Sequence, residues 1–335
     1  MNRYLNQIFQ LYAKNKNKNK KNNINIWNFI AGNDASLLEF FDIYDSFKKN
    51  KFKETSNYDL LTKIGNLTCK KCEGRGLVFD KFFQDILMKF KKIIKNRPPA
   101  IPQYDQAFIK AEDVIRRVEF IYERGDLLNS KILVIGDDDL ISIALGLTYL
   151  PEIIYVIEID QRLIEFIKEI SQKFNLNIKT FTYNVCDPLP KNLINKFDVF
   201  ISDPVETEKG LKIFLLRGML SLKINGSGYF GLTTLESGLK KWYKIEKFIL
   251  DNGFVITDIK RNFSIYPIVD ENTSWGAFEE KLPAYKIIKQ KATVDWYTSN
   301  FIRIEKIKNI KISNPKIIFS KDFYTDKEAL ATPQI

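Results

Sequence analysis

The chain has 335 residues, 52 Lys and Arg against 41 Asp and Glu, a formal net charge of +11 and no histidine. That length allows two domains, one with a sizeable core. Without an imidazole, Ser-His-Asp chemistry, Cys-His chemistry and the usual proton shuttle are excluded, so any general base is a carboxylate, lysine, tyrosine or cysteine. Three cysteines, Cys69, Cys72 and Cys186, are too few for a disulfide scaffold. The positive charge makes nucleic acid, an acidic membrane surface or an anionic substrate the first partners to weigh, against lysine that merely solvates the surface. No apolar run approaches the roughly 20 residues of a membrane span, and the N-terminus has no signal-peptide core, so the expected location is the cytoplasm.

Residues 1–23 pass from a short apolar patch into the Lys/Asn run Lys14–Asn23, read as a solvated link or a frayed helix end. Helical patterns follow over Asp34–Lys49 and, behind a Thr55/Ser56 cap, over Tyr58–Ile64. Residues 1–96 are therefore expected to form a small helical or winged-helix-like module. Within it, the run from Cys69 to Gly76 has the spacing of half a zinc knuckle, but the chain supplies no second ligand pair. It reads either as a tight turn or as a metal site that Cys69 and Cys72 share across a dimer. An amphipathic helix over residues 80–96 stops before the stiff linker Arg97-Pro98-Pro99.

From there strands and helices alternate. Strands are expected at Lys131–Ile135, Ile153–Ile157, Ile178–Tyr183, Phe197–Ile201, Gly228–Thr233, Phe254–Asn262 and Trp296–Glu305. Helices fall at Glu112–Glu123, Ile141–Leu147, Gln161–Phe174, Lys209–Leu222 and Gly238–Asn252. β-branched runs alternating with amphipathic stretches indicate an α/β fold, a doubly wound sheet of the class I methyltransferase-like (Rossmann) kind over 97–312. Residues 313–335 show no regular period and are expected as a flexible tail.

In a doubly wound sheet, ligands bind at the carboxyl ends of the strands. Eight acids fall at such ends: Asp137, Asp138 and Asp139 after the first strand, Glu158 and Asp160 after the second, Asp187 after the third, Asp203 and Glu206 after the fourth. Mutual repulsion makes so many on one rim costly unless a cation occupies the space between them. The acid after the second strand can accept hydrogen bonds from ribose hydroxyls, and Glu158 is the better placed; Asp187 can receive an adenine amino group. Gly136-Asp137-Asp138-Asp139 stands where a methyltransferase has a glycine-rich turn for the amino-acid end of its cofactor. Three aspartates repel that carboxylate and favour a donor that carries only an ammonium, decarboxylated S-adenosylmethionine. The alternative for that loop is a divalent metal held by Asp137 and Asp139. Asp203-Pro204-Val205-Glu206 lacks the aromatic ring with which amino-methyltransferases stack an extruded base, so a polycationic amine fits better than a nucleobase.

Together with Arg97-Pro98-Pro99, Tyr104-Asp105-Gln106 and the Cys69–Arg75 run, the Gly136–Leu140 and Asp203–Thr207 motifs resemble the branched-chain polyamine synthase family, the N4-bis(aminopropyl)spermidine synthases of thermophiles. The resemblance runs from about Leu67 to Arg303. It departs at Val205, where the family often has proline, at Tyr104, where it has phenylalanine, and in the N-terminal module. It implies a homodimer that moves two aminopropyl groups in turn from decarboxylated S-adenosylmethionine, a co-substrate and not a resident cofactor, to the central amine of spermidine. The implied catalytic carboxylate is Asp138, with Asp139 and Asp203 beside it. Gln106, Gly136, Asp137, Glu158, Asp160 and Asp187 are expected at the nucleoside donor, and Asp105, Asp203 and Glu206 at the polyamine. The tail then has a second reading, a lid whose Phe319, Phe323 and Tyr324 exclude water while Asp322, Asp326 and Glu328 face ammonium groups. Two competing functions remain open: an S-adenosylmethionine-dependent methyltransferase of nucleic acid or a small amine, and a winged-helix DNA-binding regulator that senses a nucleoside.

Overall fold

The computed structural model describes residues 3–16, 26–49, 64, 68–267, 292, 294–309 and 313–329. The expected helix at Tyr58–Ile64, apart from Ile64, and its cap lie outside them.

Apolar, β-branched runs read as strands buried on both faces, and here they form a seven-stranded sheet. Its strands are β1 (Lys131–Ile135), β2 (Ile153–Glu158), β3 (Ile178–Thr182), β4 (Phe197–Ser202), β5 (Leu222–Leu232), β6 (Phe254–Ile265) and β7 (Thr298–Lys306). Their order is β3-β2-β1-β4-β5-β7-β6, parallel through β5, with β7 antiparallel to both its neighbours. The helices following are α4 (Lys81–Ile93), α5 (Ala111–Glu123), α6 (Ile141–Gly146), α7 (Gln161–Phe174), α8 (Glu208–Ser221) and α9 (Leu239–Asp251). Side chains alternate across a strand, so Ile132 and Val134 of β1 pack toward α5, α6 and α7, whereas Leu133 and Ile135 pack toward α8 and α9.

Two strand boundaries differ from the sequence reading by three residues or more. β5 begins at Leu222, because α8 runs into it without a loop, the register slipping between Phe197 and Val199 of its partner β4. β6 runs on to Ile265 by pairing with Thr298 of β7.

Before residue 97 the described residues contain helices and turns but no strand, so none of them supplies a wing. The helices α1 (Arg3–Lys16), α2 (Ile26–Ala31) and α3 (Leu37–Lys49) join the core on the α5 side. Trp27 lies 5.2 Å from Trp296, ring to ring, and the Leu37 N–H donates to the Leu235 carbonyl at 2.7 Å. The Cys69–Gly76 run is a turn in which Gly74 and Gly76 take positive φ, the backbone glycine tolerates best. Cys69 is exposed and Cys72 buried, and among the described residues no three His, Cys, Asp or Glu side chains converge as a metal site. Arg75 ties this turn to buried Asp113 of α5, which also accepts the Ile265 N–H at 2.8 Å. No described helix is long and apolar enough to cross a membrane.

Close packing of α8 on the sheet depends on Phe200 of β4, which lies between Gly218 of α8 and Gly228 of β5. A methyl group added at Gly228 would stand 2.2 Å from the Phe200 ring, and one at Gly218 2.5 Å. Gly228→Ala is therefore expected to destabilise the fold by about 1–3 kcal/mol through overpacking. Phe200→Leu in the same chain should recover part of that loss, read as melting temperature; strictly additive losses would show that ring and glycine are not coupled.

Candidate active site

At the carboxyl end of β1, Gly136 takes φ +72° and its N–H donates to the Ile157 carbonyl at 3.0 Å, turning the chain sharply into the three aspartates. The turn then separates them. Asp137 points inward and accepts from the Ser142 hydroxyl and N–H, securing the start of α6. Asp139 accepts the Ile109 N–H at 2.8 Å and pairs with Arg117 of α5 at 3.3 Å. Asp138 alone of the three faces the cavity, its Oδ2 accepting the Ala107 N–H at 3.0 Å.

Glu158, ending β2, accepts three backbone N–H groups, from Asp137, Ile159 and Asp160, at 2.7–2.8 Å. The bonds fix both its oxygens on the cavity wall. Asp160 does not line the cavity; it caps α7 through the Arg162 N–H, pairs with the Arg162 side chain and accepts from the Gln106 amide at 3.0 Å. Gln106 itself lines the cavity, as does Asp105, at positive φ. Asp187 stands away: β3 ends at Thr182, the chain turns at Asn184, and the Asp187 carboxylate lies 3.4 Å from Lys316. Asn184 lines the cavity instead.

Beyond β4, Asp203 Oδ2 accepts from Arg117 at 3.0 Å and from the Tyr266 hydroxyl at 2.7 Å. Its Oδ1 rests on Gly231 of β5, where an added methyl would come within 1.8 Å, so only glycine leaves the carboxylate this position. Glu206 accepts from the Thr233 N–H and the Ser237 hydroxyl, both at 2.7 Å.

The lining also includes residues that the sequence reading did not single out: Glu236, whose carboxylate accepts from the Tyr297 hydroxyl at 2.8 Å, with Tyr266, Tyr183 and Phe214. Glu236 lies beyond β5, a strand end that carries no acid cluster to draw notice. Residues 313–329 dock across the β3 and β4 ends. Ile317 N–H donates to the Cys186 carbonyl at 2.8 Å, the Thr207 hydroxyl donates to the Phe323 carbonyl at 2.6 Å, and Phe319, Phe323 and Tyr324 line the cavity. The tail acids turn elsewhere: Asp326 and Glu328 to Lys241, at 2.8 and 3.7 Å, and Asp322 to Lys209, at 2.9 Å. Lysines, and not ammonium groups of a substrate, therefore hold them.

Six carboxylates thus face one cavity, those of Asp105, Asp138, Glu158, Asp203, Glu206 and Glu236, and none of the described residues lining it is Lys or Arg. Crowding acids in a partly dry space raises their affinity for protons. Burial, then Asp139, Asp203 and Glu158, push the Asp138 carboxyl well above the usual carboxylate range. Burial pushes Asp139 up to about 7 against the pull of Arg117, and Glu206 up to about 8 against its Ser237 and Thr233 donors.

The sheet order, with an acidic cavity at the switch point between β1 and β4, defines a class I methyltransferase-like fold. Residues 85–331 match the branched-chain polyamine synthase A C-terminal domain. An N(4)-bis(aminopropyl)spermidine synthase of Methanocaldococcus jannaschii is 43% identical over 272 residues, 80% of this chain and 75% of that one. The enzyme of the same name from Thermococcus kodakarensis is 38% identical over 300 residues, 86% of this chain and 83% of that one. The crystal structure of a branched-chain polyamine synthase C9 mutein from Thermus thermophilus, in complex with N4-aminopropylspermidine and 5′-methylthioadenosine, superposes with a TM-score of 0.81. It is 28% identical, and the match covers 96% of this chain and 92% of that one. The chain belongs to the branched-chain polyamine synthase family.

Glu206 permits a test by stability. Held at about 8 in the fold against an ordinary 4.5, it keeps its proton between those values where the unfolded chain has released it. Folding stability then falls as pH rises through that window, and Asp139 adds a like slope up to about 7. Glu206→Gln should flatten the decline of melting temperature between about pH 4.5 and about 8. An unchanged slope would show that Glu206 is ionised throughout.

Proposed function

We propose that this chain transfers aminopropyl groups from decarboxylated S-adenosylmethionine to the central secondary amine of spermidine, first giving N4-aminopropylspermidine and then N4-bis(aminopropyl)spermidine. The observation that carries this reading is the cavity wall of six carboxylates and, among the described residues, no Lys or Arg, in a chain of net charge +11. Such a wall suits a polycation and repels the carboxylate of S-adenosylmethionine itself.

In this reading the donor's ribose hydroxyls bond Glu158, whose orientation its three backbone donors fix, and Asn184 takes the place at the adenine expected for Asp187. Asp138 faces the donor's reacting end. Of the acids expected at the donor, Asp137 and Asp160 serve as caps that shape the loops. The flanking ammonium groups of spermidine lie against Asp203, Glu206, Asp105 and Glu236. Asp138 takes the proton of the central ammonium; the nitrogen lone pair then forms a bond to the methylene beside the sulfonium, and the C–S electron pair leaves with methylthioadenosine. In the second transfer the tertiary amine becomes a quaternary ammonium, whose fixed charge the same carboxylates stabilise. Residues 97–312 supply most of this site and the docked tail closes its nucleoside side with three rings. The reading further includes a homodimer working in the cytoplasm, for which sedimentation of the purified protein tests the assembly.

Mass spectrometry of a reaction with spermidine and decarboxylated S-adenosylmethionine should show two successive aminopropyl additions. Methylated product from S-adenosylmethionine, without aminopropyl product, would refute the reading. Asp138→Asn should lower turnover by roughly 10²–10⁴, the worth of a general base, with a much smaller change in donor affinity. Because an amine already deprotonated needs no base, the deficit should shrink at alkaline pH. A constant ratio to the unsubstituted enzyme across the pH range would assign the proton to another group.

A further inference from the structure

We propose that Arg117 is a positioning residue for the transfer: it pairs with Asp139 and Asp203 and offsets their charge, leaving Asp138, the neighbouring carboxylate that it does not bond, as the group that takes the proton. The inference rests on the aminopropyl-transfer reading.

Arg117 projects from α5, outside every motif at the strand ends, and its side chain is fully buried. Each nitrogen of the guanidinium is engaged. Nε donates to the Ser264 hydroxyl at 2.9 Å, Nη1 to Asp139 at 3.3 Å, and Nη2 to Asp203 at 3.0 Å and to the Ser299 hydroxyl at 3.3 Å. The Phe301 ring lies 4.9 Å below its centre. A buried guanidinium held by four partners on separate elements has no freedom to follow a substrate; it serves as a fixed positive charge.

The groups facing it come from every element packed there. Asp139 follows β1, Asp203 follows β4, Tyr266 follows β6 and donates to the same Asp203 oxygen, and Arg97 from the linker adds a second positive charge acting on Asp139. Asp203 thus has two donors on one oxygen and Asp139 an ion pair and an amide. Asp138 has only the Ala107 N–H and feels both neighbours as like charges. One buried cation among three acids satisfies the two that it bonds; the third meets their negative charge and holds its proton more firmly. An acid that binds a proton well and faces the reacting centre is the base that the transfer requires.

The test is the pH dependence of kcat/KM for spermidine. Arg117→Gln removes the positive charge that offsets the two carboxylates beside Asp138, so it should move the acid limb to higher pH, by up to the roughly 1–3 units that an opposite charge gives at close range. Its activity should then return toward that of the unsubstituted enzyme above the displaced limb. Arg117→Lys, which keeps the charge but not the fork, should leave the limb in place while lowering turnover. Asp139→Asn, which deletes one like charge and frees the guanidinium for the remaining acids, should move the limb to lower pH, and it supplies the measurement where Arg117→Gln does not fold. A loss equal at all pH values in Arg117→Gln, or a limb unmoved in Asp139→Asn, would reduce Arg117 to a structural ion pair and overturn the proposal. Formation of aminopropyl product by the unsubstituted enzyme tests the transfer reading separately.

Discussion

Carboxylates brought close together in a cavity of low polarity repel one another, and the arrangement of this site follows from containing that repulsion. Only part of the acidic rim reaches the cavity: Asp137 and Asp160 spend their oxygens on helix starts, and Asp139 on a guanidinium and an amide. Of the acids that do face it, Glu158 is bonded by three amides and Glu206 by an amide and a serine hydroxyl, and Asp203 pairs with the immobile guanidinium of Arg117. Such donors tether an acid without adding a mobile cation that would compete with a charged substrate. What remains unbalanced is a demand for positive charge, which a polyamine meets. A strained acidic site of this kind trades stability for affinity, as functional sites commonly do.

The order of strands and helices was legible because the period changes cleanly from continuous apolar runs to amphipathic stretches. Helix α7 at Gln161–Phe174 and strand β1 at Lys131–Ile135 coincide with the sequence reading, each bounded by strong local signals: Asp160 as cap, Asn175 in the left-handed region, and Gly136 in the turn. The start of β5 was not legible, since its irregular pairing with β4 has no local signature.

Within the site, the sequence marks which residues lie at strand ends but not where their side chains point. Three consecutive aspartates look equivalent; the tight turn at Gly136 and the donors of Ser142, Ala107 and Ile109 give each a different direction. Asp187 and Asn184 differ by three positions, and the early end of β3 decides which faces inward. Arg117, Glu236, Tyr266 and Tyr297 carry no motif. They arrive by tertiary contact from α5, the loop after β5 and the segments that join β6 to β7, so only the folded chain shows them. The tail is a similar case: its aperiodic sequence carries no helix or strand pattern, yet Phe323 is 2% exposed because Cys186, Val205 and Ile213 surround it.

The missing imidazole has a thermal consequence. Ionising a carboxyl group absorbs little heat, whereas stripping a proton from an alkylammonium absorbs much. On warming, an acid such as Asp138 therefore keeps its place on the pH scale, while the amine it must deprotonate sheds its proton more readily. The gap between base and acceptor narrows with temperature, so heat alone brings more of the bound pairs into the state that reacts, and the fold contributes to this only by having chosen carboxylates for the task.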